Sequence, residues 1–116
     1  MEYFRTTILF AAAFFIMKAH ANEAKTLILD VRTPQEYQES HIKDSSNIDV
    51  LAPDFKDKIS KLDKAKPYKL YCRSGSRSGK AAEIMKAQGF KNLENLGSLH
   101  EASVKLNQKC DGQGPC

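Results

Sequence analysis

Between residues 26 and 107 the sequence switches repeatedly between short, β-rich apolar runs and capped segments of helical period, and few folds accommodate such alternation. Thr26 to Val31 reads as a buried parallel strand. Thr33-Pro34-Gln35-Glu36 follows at once as a capping box with proline at the first helical position, opening a short helix to about Ser40. Asn47 to Val50 is a weaker strand. Phe55, Ile59 and Leu62 line one face of a helix after Pro53. Tyr68 to Cys72 is a third strand, and Ser78 to Gln88 a helix that buries Ala81, Ile84 and Met85 and stops at Gly89. Phe90 to Leu96 forms a further strand, after which Ser98 and Glu101 cap a last helix towards Asn107. The expected fold is α/β: an open parallel sheet of four to five strands with helices on both faces. Ligand sites in such sheets lie beyond the carboxyl ends of the strands, which directs attention to the segment after Tyr71.

The chain has 116 residues, 41% apolar and 28% charged, the balance of one globular domain. Its 18 basic and 14 acidic residues are spread along the chain without a dense basic run, so nucleic acid is not an expected partner. Residues 1–21 differ from the rest. Arg5 precedes ten apolar residues, Ile8 to Met17, and Ala19-His20-Ala21 then offers small residues at a cleavage site, the layout of a signal peptide. Ten residues rise only about 15 Å as a helix, roughly half a bilayer core, so a spanning anchor is not expected. Cleavage after Ala21 would leave a periplasmic or secreted chain starting at Asn22, with 16 basic and 13 acidic residues, no membrane attachment and a monomeric state.

Export would place Cys72, Cys110 and Cys116 where thiols oxidise. Cys110 and Cys116 bracket the turn-rich Asp111 to Pro115 within a tail, residues 108–116, expected to be flexible. They are the natural disulfide pair, with an intermolecular bridge or two idle thiols as the alternatives. Cys72 would then be the free thiol.

Cys72-Arg73-Ser74-Gly75-Ser76-Arg77-Ser78 puts that thiol at the end of a buried strand, ahead of small residues, two arginines and a helix start. Such a loop can curl so that its amides converge on an anion, reinforced by the helix N-terminus. Arg73 and Arg77 act in the same sense, lowering the thiol pKa and attracting an anionic substrate. The alternative is an inert buried cysteine closing a strand. His41 could serve as a base, but an amide nest holds a thiolate without one. No metal is expected, since Cys110 and Cys116 lack a histidine to complete a shell.

The run Leu29 to Tyr37, Ser40-His41-Ile42, Ser46-Asn47-Ile48, the Cys72 to Ser78 loop, Gly89-Phe90 and Asn95-Leu96-Gly97 together resemble a rhodanese domain over about residues 27–106. The likeness is greatest to exported single-domain thiosulfate sulfurtransferases of bacteria. It implies that Cys72 takes up a sulfane sulfur from a small anionic donor such as thiosulfate and passes it to cyanide or a thiol acceptor, without a cofactor. Arg73, Ser74, Gly75, Ser76 and Arg77 would bind the substrate, while Asp30 and Arg32 would support the floor beside the loop, and His41 would be structural. A cysteine-phosphatase loop on this fold requires arginine at position 78, where the chain has Ser78; here arginine falls at Arg77, which fits sulfur better than phosphate. Ser40, Ser45, Asp49 and Ser98 depart from the family pattern, and tryptophan is absent. Two other functions remain open: a non-enzymatic sulfur carrier that docks on a partner, and a thiol–disulfide oxidoreductase in which the tail cysteines resolve a Cys72 adduct.

Overall fold

The computed structural model describes residues 25–116, so the expected signal segment lies outside the described residues. The chain runs β1 (Leu27–Asp30), α1 (Pro34–Glu39), β2 (Ser40–Ile42), β3 (Ser46–Asn47), α2 (Phe55–Ser60), β4 (Tyr68–Cys72), α3 (Ser76–Ala87), β5 (Leu93–Ser98), α4 (Leu99–Leu106) and β6 (Cys110–Gly112). Four strands form a parallel sheet in the order β3-β1-β4-β5, while β2 and β6 make a separate antiparallel pair. The central pair, β1 and β4, is apolar apart from Asp30 and Lys69 because both of its faces are covered.

Strand alternation sorts the core into two halves. Leu29 and Val31, together with Leu70 and Cys72, face Phe55 and Ile59 of α2 and Ala81 and Met85 of α3. Tyr71 points the other way, to Ile42, Leu96 and the Leu99 and Ala102 of α4. Thr33 caps α1 through the reciprocal capping box with Glu36. Ser98 caps α4 by accepting from the Glu101 amide, and the helix ends at Asn107 in a left-handed conformation.

Several boundaries differ from the sequence reading. The first helix stops at Glu39, because Ser40 turns into β2 and its backbone carbonyl receives the Arg32 side chain at 2.6 Å. The second parallel strand starts at Ser46 and is two residues long, although the Ile48 and Val50 amides continue bonding to Asp30 and Val31. Phe90 belongs to the helix end, not to β5: its amide closes on Met85 O and its ring meets Tyr68 edge-on at 5.4 Å.

The largest departure concerns residues 108–116, expected as a flexible tail. They carry β6, which pairs with β2 from Ser40–Gly112 to Ile42–Cys110. The Gln113 and Gly114 amides both donate to Glu39 O at 2.9 Å, and Ser40 Oγ donates to Pro115 O at 3.1 Å. Gly112 has φ +107°, and a Cβ there would collide with the Glu39 carbonyl oxygen, so glycine permits this close docking. A chain already rich in turn residues thus finds backbone partners on an exposed edge of β2.

Candidate active site

β4 delivers Cys72 to the carboxyl end of the sheet, where Arg73 to Gly75 turn sharply into α3. Gly75 makes that turn with φ +94°, a left-handed conformation that aims its amide back at the thiol. The Gly75 amide donates to Cys72 Sγ at 2.9 Å, and Ser78 Oγ lies 3.3 Å from the same sulfur. Cys72 itself is 0% exposed. Burial is the largest influence on its ionisation and opposes it. The Ser78 hydroxyl and the amides of Ser78, Ser74 and Gly75 outweigh that opposition, so the thiol pKa lies below that of an ordinary cysteine. Loop donors therefore carry the effect, to which the sequence reading adds Arg73 and Arg77.

Ser78 and Asn95 emerge as parts of the site that sequence reasoning missed. Ser78 Oγ lies within reach of three acceptors, Cys72 Sγ, Gly75 O at 3.1 Å and Asn95 Oδ1 at 2.6 Å, but has one proton to give. Asn95 Nδ2 donates to Gly75 O at 2.9 Å, while its Oδ1 accepts from the Gly97 amide at 3.0 Å. The side chain thereby clamps the loop from β5. It is brought there by an irregularity in the β4–β5 register: Leu70 pairs with Asn95 and Tyr71 with Gly97, so Leu96 is the extra residue.

The arginines behave differently from each other. Arg77 pairs bidentately with Glu36 of α1, Nη1 to Oε1 at 2.7 Å and Nη2 to Oε2 at 3.0 Å, with both side chains about one quarter exposed. Chiefly through that pair, the Glu36 carboxyl is held down to about 2. Arg73 is exposed and makes no ion pair among the described residues. Ser74 Oγ accepts the Ser76 amide at 3.4 Å, which keeps the turn's own backbone engaged.

Asp30 is 0% exposed and meets Arg32 through the Arg32 amide and through its guanidinium, Nη2 to Oδ2 at 2.6 Å. Burial opposes the Arg32 charge, and the Asp30 carboxylate more than compensates. The guanidinium also lies over the Tyr71 ring, 5.6 Å from its centre. Tyr71 Oη accepts the Ile42 amide at 3.0 Å, joining the sheet to β2 beneath the pair. His41 stacks on Tyr37 with centroids 3.7 Å apart, and its Nδ1 lies 2.7 Å from Tyr37 O, a structural arrangement within α1 and β2.

A pocket of about 430 Å³ opens beside the loop, lined among others by Arg32, Glu39, Arg73, Leu99, His100 and Cys116. Its size falls in the range of small-molecule clefts, about 300–1,000 Å³. Cys116 is disulfide-bonded to Cys110, with Cα atoms 5.7 Å apart, and Cys72 is free. No group of histidine, cysteine or carboxylate side chains suited to a metal ion occurs among the described residues. No helix among them is long and apolar enough to cross a membrane.

The thiosulfate sulfurtransferase PspE of Escherichia coli (strain K12) is 35% identical over 78 residues, covering 66% of this chain and 73% of that protein. The tRNA uridine(34) hydroxylase of Pelagibacter ubique is 40% identical over 76 residues, 65% of this chain but only 25% of that protein. A solved structure of a rhodanese with anions from E. coli superposes with a TM-score of 0.58 at 33% identity, covering 66% of this chain and 89% of its own. The model of the rhodanese-like domain matches residues 16–101. With most of the chain inside that match and the parallel sheet, cysteine loop and helix in their places, the protein belongs to the rhodanese-like domain family.

Proposed function

We propose that the chain is a sulfurtransferase that carries sulfane sulfur from thiosulfate, through a persulfide on Cys72, to cyanide or a thiol. The observation that carries this reading is the convergence of the Gly75 amide and the Ser78 hydroxyl on Cys72 Sγ. In the first step the Cys72 thiolate attacks the outer sulfur of thiosulfate, and the sulfur–sulfur bond breaks with its electron pair leaving on sulfite. In the second, the acceptor attacks the outer sulfur of the persulfide, and the thiolate departs from it, regenerated. Both steps are nucleophilic displacements at sulfur, and neither calls for a cofactor.

Within this reading the loop from Arg73 through Ser74, Gly75 and Ser76 to Arg77 holds the added sulfur with its amides. Arg73, free of a carboxylate partner among the described residues, draws in the anionic donor. Arg77 acts through Glu36 to pin α3 against α1. Asp30 and Arg32 keep the floor beside the loop rigid.

Incubation of the full chain with thiosulfate is expected to add the mass of one sulfur to Cys72, removed again by cyanide, and Cys72→Ser to abolish the adduct. An unmodified wild-type chain would overturn the mechanism. Complete burial of Cys72 favours a second reading, a persulfide carrier whose loop is opened by a docking partner. Slow steady-state thiocyanate formation despite full persulfide loading would select it. The oxidoreductase reading gains nothing from the structure, where Cys110 bonds Cys116 and leaves Cys72 apart. Export is part of the proposal, and a periplasmic or secreted chain beginning at Asn22 is the expected product.

A further inference from the structure

The pocket beside the loop has an unusual wall. It includes both Arg73, the residue after the nucleophile, and the strap formed by Gly114, Pro115 and Cys116. The family match ends at residue 101, and the strap lies beyond it. It is closed on itself by the Cys110–Cys116 bond and held to α1 by the Gln113 and Gly114 amides on Glu39 O. Those amide bonds hold the end of α1, where Glu39 lines the pocket.

Charge pairing separates what is spent from what is free. Of the charged residues lining the pocket, Arg32 is engaged by Asp30 and Glu36 by Arg77. Arg73 and Glu39 make no ion pair among the described residues, and both are exposed. The pocket lining therefore holds one unpaired guanidinium, that of Arg73, and one unpaired carboxylate, that of Glu39. An anion such as thiosulfate or cyanide has no use for the carboxylate. A molecule bearing a carboxylate and an ammonium satisfies both.

We propose that the strap completes a subsite for the sulfur acceptor, and that this subsite selects small zwitterionic thiols of the amino-acid type over anionic or neutral ones. The acceptor carboxylate pairs with Arg73 and its ammonium with Glu39, which leaves the thiolate to attack the outer persulfide sulfur. That bond breaks, the acceptor leaves as its own persulfide, and the Cys72 thiolate returns. The inference rests on the persulfide mechanism proposed above and names the acceptor class for it.

The test is single-turnover discharge of the thiosulfate-loaded full chain by cysteine, 3-mercaptopropionate, 2-mercaptoethanol and cyanide, with the Cys110–Cys116 bond verified by mass afterwards. Cysteine is expected to reach half-saturation at the lowest concentration of the three thiols. Glu39→Gln is expected to raise that concentration for cysteine about three- to tenfold, the effect of removing one partly exposed charge partner, and to leave discharge by 3-mercaptopropionate and cyanide unchanged. The Cys110→Ser, Cys116→Ser double variant, which frees the strap, is expected to lose the same preference while still loading sulfur. Equal half-saturation for cysteine and 3-mercaptopropionate in the wild type, or no change in Glu39→Gln, overturns the inference while the persulfide mechanism stands. Failure of the wild type to load sulfur overturns both.

Discussion

Ser78 has one hydroxyl proton and three acceptors around it, so its orientation follows the charge on Cys72. With a neutral thiol the proton is best spent on Asn95 Oδ1, the shortest of the three contacts. When Cys72 ionises, the hydroxyl can turn and donate to the sulfur, which is why the residue favours the thiolate. Ser78→Ala removes that donor and leaves the Gly75 amide. The thiol pKa then rises, and the pH profile of alkylation by a small reagent moves to higher pH, with the rate at pH 7 about three- to tenfold slower. Ser78→Thr restores the hydroxyl and is expected to recover most of the wild-type profile, which a purely structural role for the position would not require. A profile in Ser78→Ala that overlies the wild type removes Ser78 from the account.

The elements were mostly legible before the structure. The Thr33 capping box, the Ser98 cap and the apolar strand ending at Cys72 are local signals, and each sits where its residues indicate. The contacts that make the site are different in kind. Glu36 and Arg77 are 41 residues apart and Ser78 and Asn95 are 17 apart, and no periodicity within either segment encodes their meeting. Reading Glu36 only as a capping residue missed that its two oxygens also tie α1 to α3. The missed β2 is a three-residue edge whose partner, β6, lies far along the chain.

The tie between α1 and α3 has a pH signature. The Glu36 carboxyl sits at about 2 in the folded chain, against an ordinary value of 4.5, because Arg77 donates to it. Its contribution is therefore fully present above about pH 4.5 and fades as the pH falls towards 2. Glu36→Gln should cost about 1–2 kcal/mol at pH 7, allowing for the partial exposure of the pair, and the difference from wild type should shrink at pH 3. Urea unfolding of both chains at the two pH values checks the sign; a constant difference would mean that packing of α1, rather than charge, is lost.

Across the whole molecule, stability is divided between a sheet covered on two faces and a strap attached at one edge. The core of β1 and β4 is bound on both sides by strands and helices, whereas β6 touches the rest through β2 and a few backbone bonds, the disulfide closing the strap on itself. Closing so short a loop stabilises its docked form by about 2 kcal/mol in the chain-entropy view. Reduction should thus release the strap without unfolding the sheet. Hydrogen exchange at the Gln113 and Gly114 amides is expected to speed up on reduction while the β1 and β4 amides stay protected. Uniform loss of protection across both regions would show that the strap and sheet unfold as one unit.

The complete burial of Cys72 bears on how its sulfur meets oxidants. A low-pKa thiolate is ordinarily the first target of hydroperoxides, which convert it to sulfenic and then to sulfinic acid, the second step being a dead end. Here the sulfur meets such molecules only during brief openings of its own loop. Damage accrues in proportion to the time spent open, so the enzyme ages according to how often it breathes.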